Sequence, residues 1–231
     1  MKTIGLIGGM SWQSSIEYYR IINEASNKLL GDFHTCESIM YSVDIDSVLK
    51  NQHANEWQLL NEHMTNTALK LQKAGADFVL ICTNTMHKTA EYVEQNINIP
   101  LLHIADTVAE EIKKKGFNKV GLIGTPFTMQ EDFYKGRLSR KHNIEVIIPN
   151  EQSDVDYIYK VINNELTFGK FLKSSREEYL KIMQKLVNRG AEGIILGCTE
   201  IPLLIKQEHT NIPVFDTARL HAVAAVSKSL E

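Results

Sequence analysis

The string TIGLIGG at 3–9 returns as KVGLIGT at 119–125, with Gly5 falling on Gly121 and Gly8 on Gly124. LQKAGADFVLICTNT at 71–85 returns as LVNRGAEGIILGCTE at 186–200, with Gly75 on Gly190 and Ala76 on Ala191, and NIP at 98–100 returns at 211–213. The first offset is 116 and the second 115. Three matches in one order and at nearly one spacing read as an internal duplication, so the second half must repeat whatever fold the first half takes.

Within each copy, short runs rich in Ile, Val and Leu alternate with stretches of helical periodicity. The first copy runs TIGLIGG, 14–30, SIMYSVD, 55–74, DFVLIC, 85–96, IPLLHI and 105–115. The second runs KVGLIGT, 129–142, IEVIIP, 153–189, GIILGC, 200–208, IPVFDT and 217–230. Strands separated by helices imply βαβ units and a parallel sheet. The fold class is therefore α/β, with a central, mainly parallel sheet in each copy.

A length of 231 residues suits one large or two small domains. With 43% hydrophobic and 23% charged residues the chain has the composition of a soluble globular protein. A net charge of -3, with Lys and Arg scattered, lacks the basic footprint of a nucleic-acid binder. No apolar run approaches the length of a membrane helix, and MKTIGLIGGM leads into a polar, Trp-containing segment, so it reads as a first strand and not a signal. Cys36, Cys82 and Cys198 are odd in number and far apart, which points to free thiols in a reducing cytoplasm. No H-x-x-x-H or cysteine cluster suggests a metal, and both the G-x-G-x-x-G and Walker strings are absent, so neither metal nor nucleotide cofactor is expected.

The chemistry is expected at ICTNTMH (81–87), where a cysteine and a threonine stand side by side as a strand ends. The offset of 115 puts Thr83 on Cys198 and Cys82 on Gly197, which has no side chain. Neighbouring strand residues point to opposite sides, so only one of Cys82 and Thr83 can face a site. The repeat selects Thr83 and leaves Cys82 as a packing residue. Both Thr83 and Cys198 fall where parallel sheets bind ligands, beyond the carboxyl ends of strands. Thr199 reads as an N-cap with Glu200 in the first turn, and a thiol at a helix N-terminus has its thiolate favoured, making Cys198 the candidate base or nucleophile. Glu200 is either an acid or base of the site or a first-turn charge. The loop GGMSWQSS (8–15), with Met10 and Ser11, and its counterpart GTPFTMQ (124–130), with Thr125 and Thr128, could contact an anionic ligand. His87 reads as a helix-surface or capping residue and His103 as structural.

Taken together, IGLIGGMSWQSS (4–15), CTNTMH (82–87), GTPFTM (124–129), GCTEIP (197–202) and PVFDTARLHA (213–222) resemble the aspartate/glutamate racemase superfamily over the whole chain. Within it the chain is most similar to the broad-specificity and L-aspartate/glutamate-specific racemases. The resemblance implies two pseudo-symmetric α/β lobes, 1–104 joined by the last helix (217–231) and 105–216, with the active site in the cleft between them. It also implies a homodimer, no cofactor, and two cysteines that remove and deliver the α-proton of an amino acid on opposite faces. Those two positions correspond to Thr83 and Cys198, so threonine replaces the first cysteine and the reaction should be lopsided, because an alcohol is a far weaker acid than a thiol.

The same resemblance assigns the substrate α-carboxylate to Asn84, Thr85 and turn amides, with Thr125, Thr128 and Thr199 as helpers. The family's aspartate-gripping Arg and Lys have no match in VDIDSV (43–48) or TFG (167–169), where Thr167 stands near the lysine position. Two other readings remain: a one-cysteine decarboxylase of the arylmalonate type, and a non-catalytic amino-acid binding protein.

Overall fold

The computed structural model describes residues 1–231. Its contacts divide the chain into two compact units, Met1–Ile104 with His221–Glu231, and Ala105–Leu220.

In the first unit, β1 (Ile4–Gly8), α1 (Trp12–Leu30), β2 (Ser38–Ser42), α2 (Ile45–His53), α3 (Trp57–Lys73) and β3 (Phe78–Ile81) precede a 3₁₀ turn at Thr85–Thr89 and α4 (Ala90–Asn96). The sheet has the order β2-β1-β3 and is parallel throughout, with Leu101 adding one parallel bridge to Val79. Every position of β1 and β3 is buried, as expected of parallel strands covered on both faces. Leu60, Met64, Ala68 and Leu71 recur at helical spacing on α3 and pack with Val79, Ile81, Met86 and Val93. Each such large aliphatic side chain contributes about 1.5–3 kcal/mol by leaving water.

The second unit begins in α5 (Ile104–Lys114) and continues through β4 (Lys119–Gly124), α6 (Pro126–Gln130), α7 (Asp132–His142), β5 (Glu145–Ile147), α8 (Gln152–Asn164), α9 (Lys173–Asn188), β6 (Ile194–Gly197), α10 (Ile201–Leu204) and β7 (Val214–Asp216). Its parallel sheet has the order β5-β4-β6-β7. Asp106 pins α5 to α7 by accepting from Arg137 at 2.8 and 2.7 Å, Lys141 at 2.6 Å and His142 at 2.8 Å. Burial alone would raise the Asp106 carboxyl, but those donors outweigh it and hold it well below the usual carboxylate range. The closing helix α11 (Thr217–Ser229) starts in the second unit and returns to the first at His221.

The repeat read from the sequence is visible rung by rung. Gly5 pairs with Val79 and Gly121 with Ile194; Val79 bridges Leu101, and Ile194 pairs with Val214. Ahead of β3 and β6, Gly75 (φ 103°) and Gly190 (φ 94°) end α3 and α9 in the left-handed region that glycine tolerates. The following amides close matching bonds, Ala76 N–H to Leu71 O at 3.0 Å and Ala191 N–H to Leu186 O at 3.1 Å. An acidic residue then ties each strand start to its neighbour: Asp77 accepts from Thr3 N–H, and Glu192 from the amides of Asn118 and Lys119.

Several boundaries differ from those expected. α2 was not anticipated; Asp44 starts it by accepting from Asp46 N–H at 3.2 Å. The stretch 153–189 is two helices separated by a 3₁₀ turn (Leu166–Phe168) and Gly169, whose φ of 69° cannot continue a helix. The stretch 129–142 belongs to α6 and α7, separated at Glu131, whose backbone is extended. Residues 200–208 hold only the single turn of α10 and the start of a 3₁₀ turn at Gln207–His209. No helix is long and apolar enough to cross a membrane.

Candidate active site

In the first unit the sheet continues one residue past β3, because Cys82 N–H donates to Ile7 O at 3.0 Å. The Cys82 side chain is 1% exposed, as a packing group is, and burial pushes its thiol far up. Thr83 follows and is half-buried, then Asn84 and Thr85 are buried. The segment after Thr83 was expected to open an α-helix directly. It first winds as a 3₁₀ turn, with His87 N–H donating to Asn84 O at 3.0 Å.

Ser11, after β1, caps α1: its hydroxyl accepts from Ser14 N–H at 3.4 Å, while Ser15 Oγ donates to Ser11 O at 2.9 Å and accepts from Gly9 N–H at 2.8 Å. The Met10 side chain lies in the apolar core of this unit. The first-unit candidates Met10, Ser11, Thr83, Asn84 and Thr85 thus gather at the ends of two paired strands, β1 and β3.

In the second unit the corresponding ends are those of β4 and β6, which approach closely at Gly124 and Gly197. A Cβ on Gly124 would sit 2.6 Å from Gly197 O, and one on Gly197 would sit 2.6 Å from the Leu122 side chain. Thr125 caps α6 by accepting from Thr128 N–H at 3.3 Å, and the two hydroxyls are 3.1 Å apart. Thr128 is fully buried.

Immediately after Gly197 comes Cys198, 8% exposed, whose Sγ–H donates to Glu200 Oε2 at 2.9 Å. Glu200 is itself 6% exposed, and the same oxygen accepts from Thr199 Oγ1 at 3.2 Å. The expectation of a helix-stabilised thiolate is overturned here. Burial, and after it the charge and hydrogen bond of Glu200, push the Cys198 thiol well above its ordinary range, while the amides of Thr199 and Glu200 pull the other way without prevailing. The N-cap is Glu200, not Thr199, and α10 is one turn long, which leaves little dipole to act on the sulfur. Glu200, read either as an acid or base or as a first-turn charge, is in direct contact with the sulfur.

Of the two readings of His87, the surface one fails and the capping one agrees with the contacts: it is 2% exposed, and its Nδ1 lies 2.7 Å from Thr83 O. The spacing of four residues from Thr83 could have disclosed this contact. No group of three His, Cys, Asp or Glu side chains is arranged to hold a metal ion.

Two parallel α/β units of one topology, one carrying a buried thiol–carboxylate pair where the other carries a threonine, define a duplicated α/β protein. The family model for Asp/Glu/Hydantoin racemase matches residues 7–225, and the chain belongs to that family. It is 23% identical over 231 residues to the broad-specificity amino-acid racemase RacX of Bacillus subtilis, covering 98% of each chain. Among solved structures it is similar to a Yersinia pestis chain assigned to the Asp/Glu racemases, with 45% identity, a TM-score of 0.93 and full coverage of both chains. An aspartate racemase homologue from Pyrococcus horikoshii is 35% identical, with a TM-score of 0.87 and full coverage of both chains.

Proposed function

We propose that the protein is a cofactor-independent amino-acid racemase in which Cys198 exchanges the α-proton on one face of the substrate and Thr83 on the other. The observation that carries this reading is the buried pair of Cys198 Sγ and Glu200 Oε2, 2.9 Å apart. The resting sulfur holds its proton. Transfer of that proton to Glu200 leaves a thiolate held by the amides of Thr199 and Glu200. The thiolate takes the α-proton, the S–H bond re-forms, and the electron pair left on the α-carbon spreads into the substrate carboxylate. The Thr83 hydroxyl gives its proton to the opposite face. Water then returns a proton to Thr83 oxygen as Glu200 releases the one it accepted, which restores the starting state.

Asn84, Thr85, Thr125, Thr128 and Thr199 are the candidates for holding the substrate, with Met10 and Ser11 supporting the loop after β1. The side-chain preference is wider than aspartate. No Arg or Lys occurs at 43–48, and the Thr167 hydroxyl is spent on Ile162 O at 2.8 Å. The name of the Bacillus subtilis relative agrees with a broad range. Trp12, Ile16 and Tyr19 form an exposed apolar stripe on α1, which we assign to contact with a second copy in a homodimer. Three free, buried cysteines suit a reducing cytoplasm.

The test is incubation with a panel of L- and D-amino acids in D₂O, following α-proton exchange by NMR and inversion by chiral chromatography. Exchange that disappears in Cys198→Ala supports the reading. No exchange with any amino acid, or exchange that survives the substitution, defeats it; loss of CO₂ from an arylmalonate would instead mark a decarboxylase.

A further inference from the structure

His87 is buried beside Thr83 with both ring nitrogens engaged. Ile104 N–H donates to Nε2 at 3.2 Å, so that nitrogen is unprotonated and Nδ1 carries the hydrogen. Nδ1–H then donates to Thr83 O at 2.7 Å. The backbone leaves this carbonyl for the ring: in an α-helical turn it would accept from the His87 amide, but the tighter 3₁₀ winding sends that amide to Asn84 O.

Neighbouring rings hold the imidazole in place. His103 packs edge-on with centroids 4.5 Å apart, and His221 at 5.7 Å. His221 is in turn fixed by Nε2–H donating to Leu102 O at 2.8 Å and by Tyr18 O–H donating to Nδ1 at 2.9 Å. The second unit has no such device. The repeat places Pro202 opposite His87, and Cys198 O accepts from the backbone amide of Ile201 at 3.0 Å.

We propose that His87 is the positioning residue for Thr83: a neutral imidazole of fixed tautomer that clamps the Thr83 carbonyl and so sets the direction in which its hydroxyl leaves the end of β3. The proposal rests on the racemase reading. A hydroxyl is a poor proton donor, so proton delivery from Thr83 depends on alignment more than delivery from a thiol does. The sequence supplies a clamp on the threonine side alone.

The experiment compares wild type with His87→Phe, which keeps a ring without the donor, and His87→Asn, whose amide can still donate to the carbonyl. Each is given the amino acid that wild type exchanges fastest, in D₂O, and the ratio of inversion to α-proton exchange is read alongside thermal unfolding. His87→Phe should lower that ratio about tenfold, and His87→Asn should restore most of it. An unchanged ratio in His87→Phe, or equal losses in both variants, overturns the positioning role while leaving the racemase reading intact. Absence of exchange in wild type overturns both. The ¹⁵N shifts of the wild-type His87 ring give a reading free of activity and of variant folding: an Nδ1–H tautomer supports the clamp, and an Nε2–H tautomer or an imidazolium refutes it.

Discussion

Cys198 Sγ–H donates a hydrogen bond to Glu200 Oε2 across 2.9 Å, and both side chains are buried. Replacing Glu200 by Gln removes the negative charge and the base while leaving an amide oxygen that can still accept from the thiol. Exchange at the α-carbon should fall by about 10²-fold or more, while the thiol should titrate at lower pH than in wild type, because the charge of Glu200 that helps to raise it is gone. Chemical modification of Cys198 by a neutral alkylating reagent across pH reads the second effect. Activity and thiol acidity moving in the same direction would contradict the assignment.

Cys82→Ala and Thr83→Cys separate the two neighbours at the end of β3. Cys82→Ala should cost about 1 kcal/mol of stability and leave most of the exchange, since that sulfur is a packing group. Thr83→Cys should speed the direction in which that position must remove the α-proton, where a stronger acid and its more stable conjugate base are needed. Urea unfolding and initial rates from each enantiomer measure the pair, and a large loss of exchange in Cys82→Ala would reverse the register.

The buried His221 makes stability depend on acidity. Burial lowers its pKa from 6.5 to about 4, so the folded state favours the neutral ring. The contribution is complete above about pH 6.5 and is lost as pH falls towards 4, because the unfolded chain takes up the proton first; the full loss is about 3 kcal/mol. His221→Asn should show a shallower decline in urea midpoint between those pH values than wild type. Parallel declines would sink the prediction.

Gly124→Ala tests the close approach of β4 and β6. The new Cβ would meet Gly197 O at 2.6 Å, a backbone atom that cannot rotate aside. The expected cost is about 1–3 kcal/mol, and kcat should fall with it, since Cys198 follows Gly197 directly. Urea unfolding with a normal m-value and steady-state rates check both parts.

Much of this was legible in the chain. The offset that joined Gly75 to Gly190 and Thr83 to Cys198 is realised in matching caps and strand rungs, because a glycine with positive φ and an all-apolar strand leave signatures in one dimension. The weakened acidity of Cys198 was not legible, because it depends first on burial of the thiol and then on the Glu200 carboxylate turning back onto the sulfur. Nor was the burial of His87, whose surroundings come from His103, Ile104 and His221, the last held in turn by Tyr18 and Leu102. α2 was hidden because its start is marked only by Asp44, which follows β2 so closely that it reads as part of the strand run.

Residues 221–231 complete a unit whose other residues are 1–104; Lys2 N–H reaches Ser229 O at 2.7 Å, and Tyr18 reaches His221. A ribosome makes this chain in one direction, so the portion synthesised earliest is sealed latest, after the intervening 105–220 has already emerged. The emerging chain therefore contains every residue of the Cys198 unit while the Thr83 unit still waits for residues 221–231.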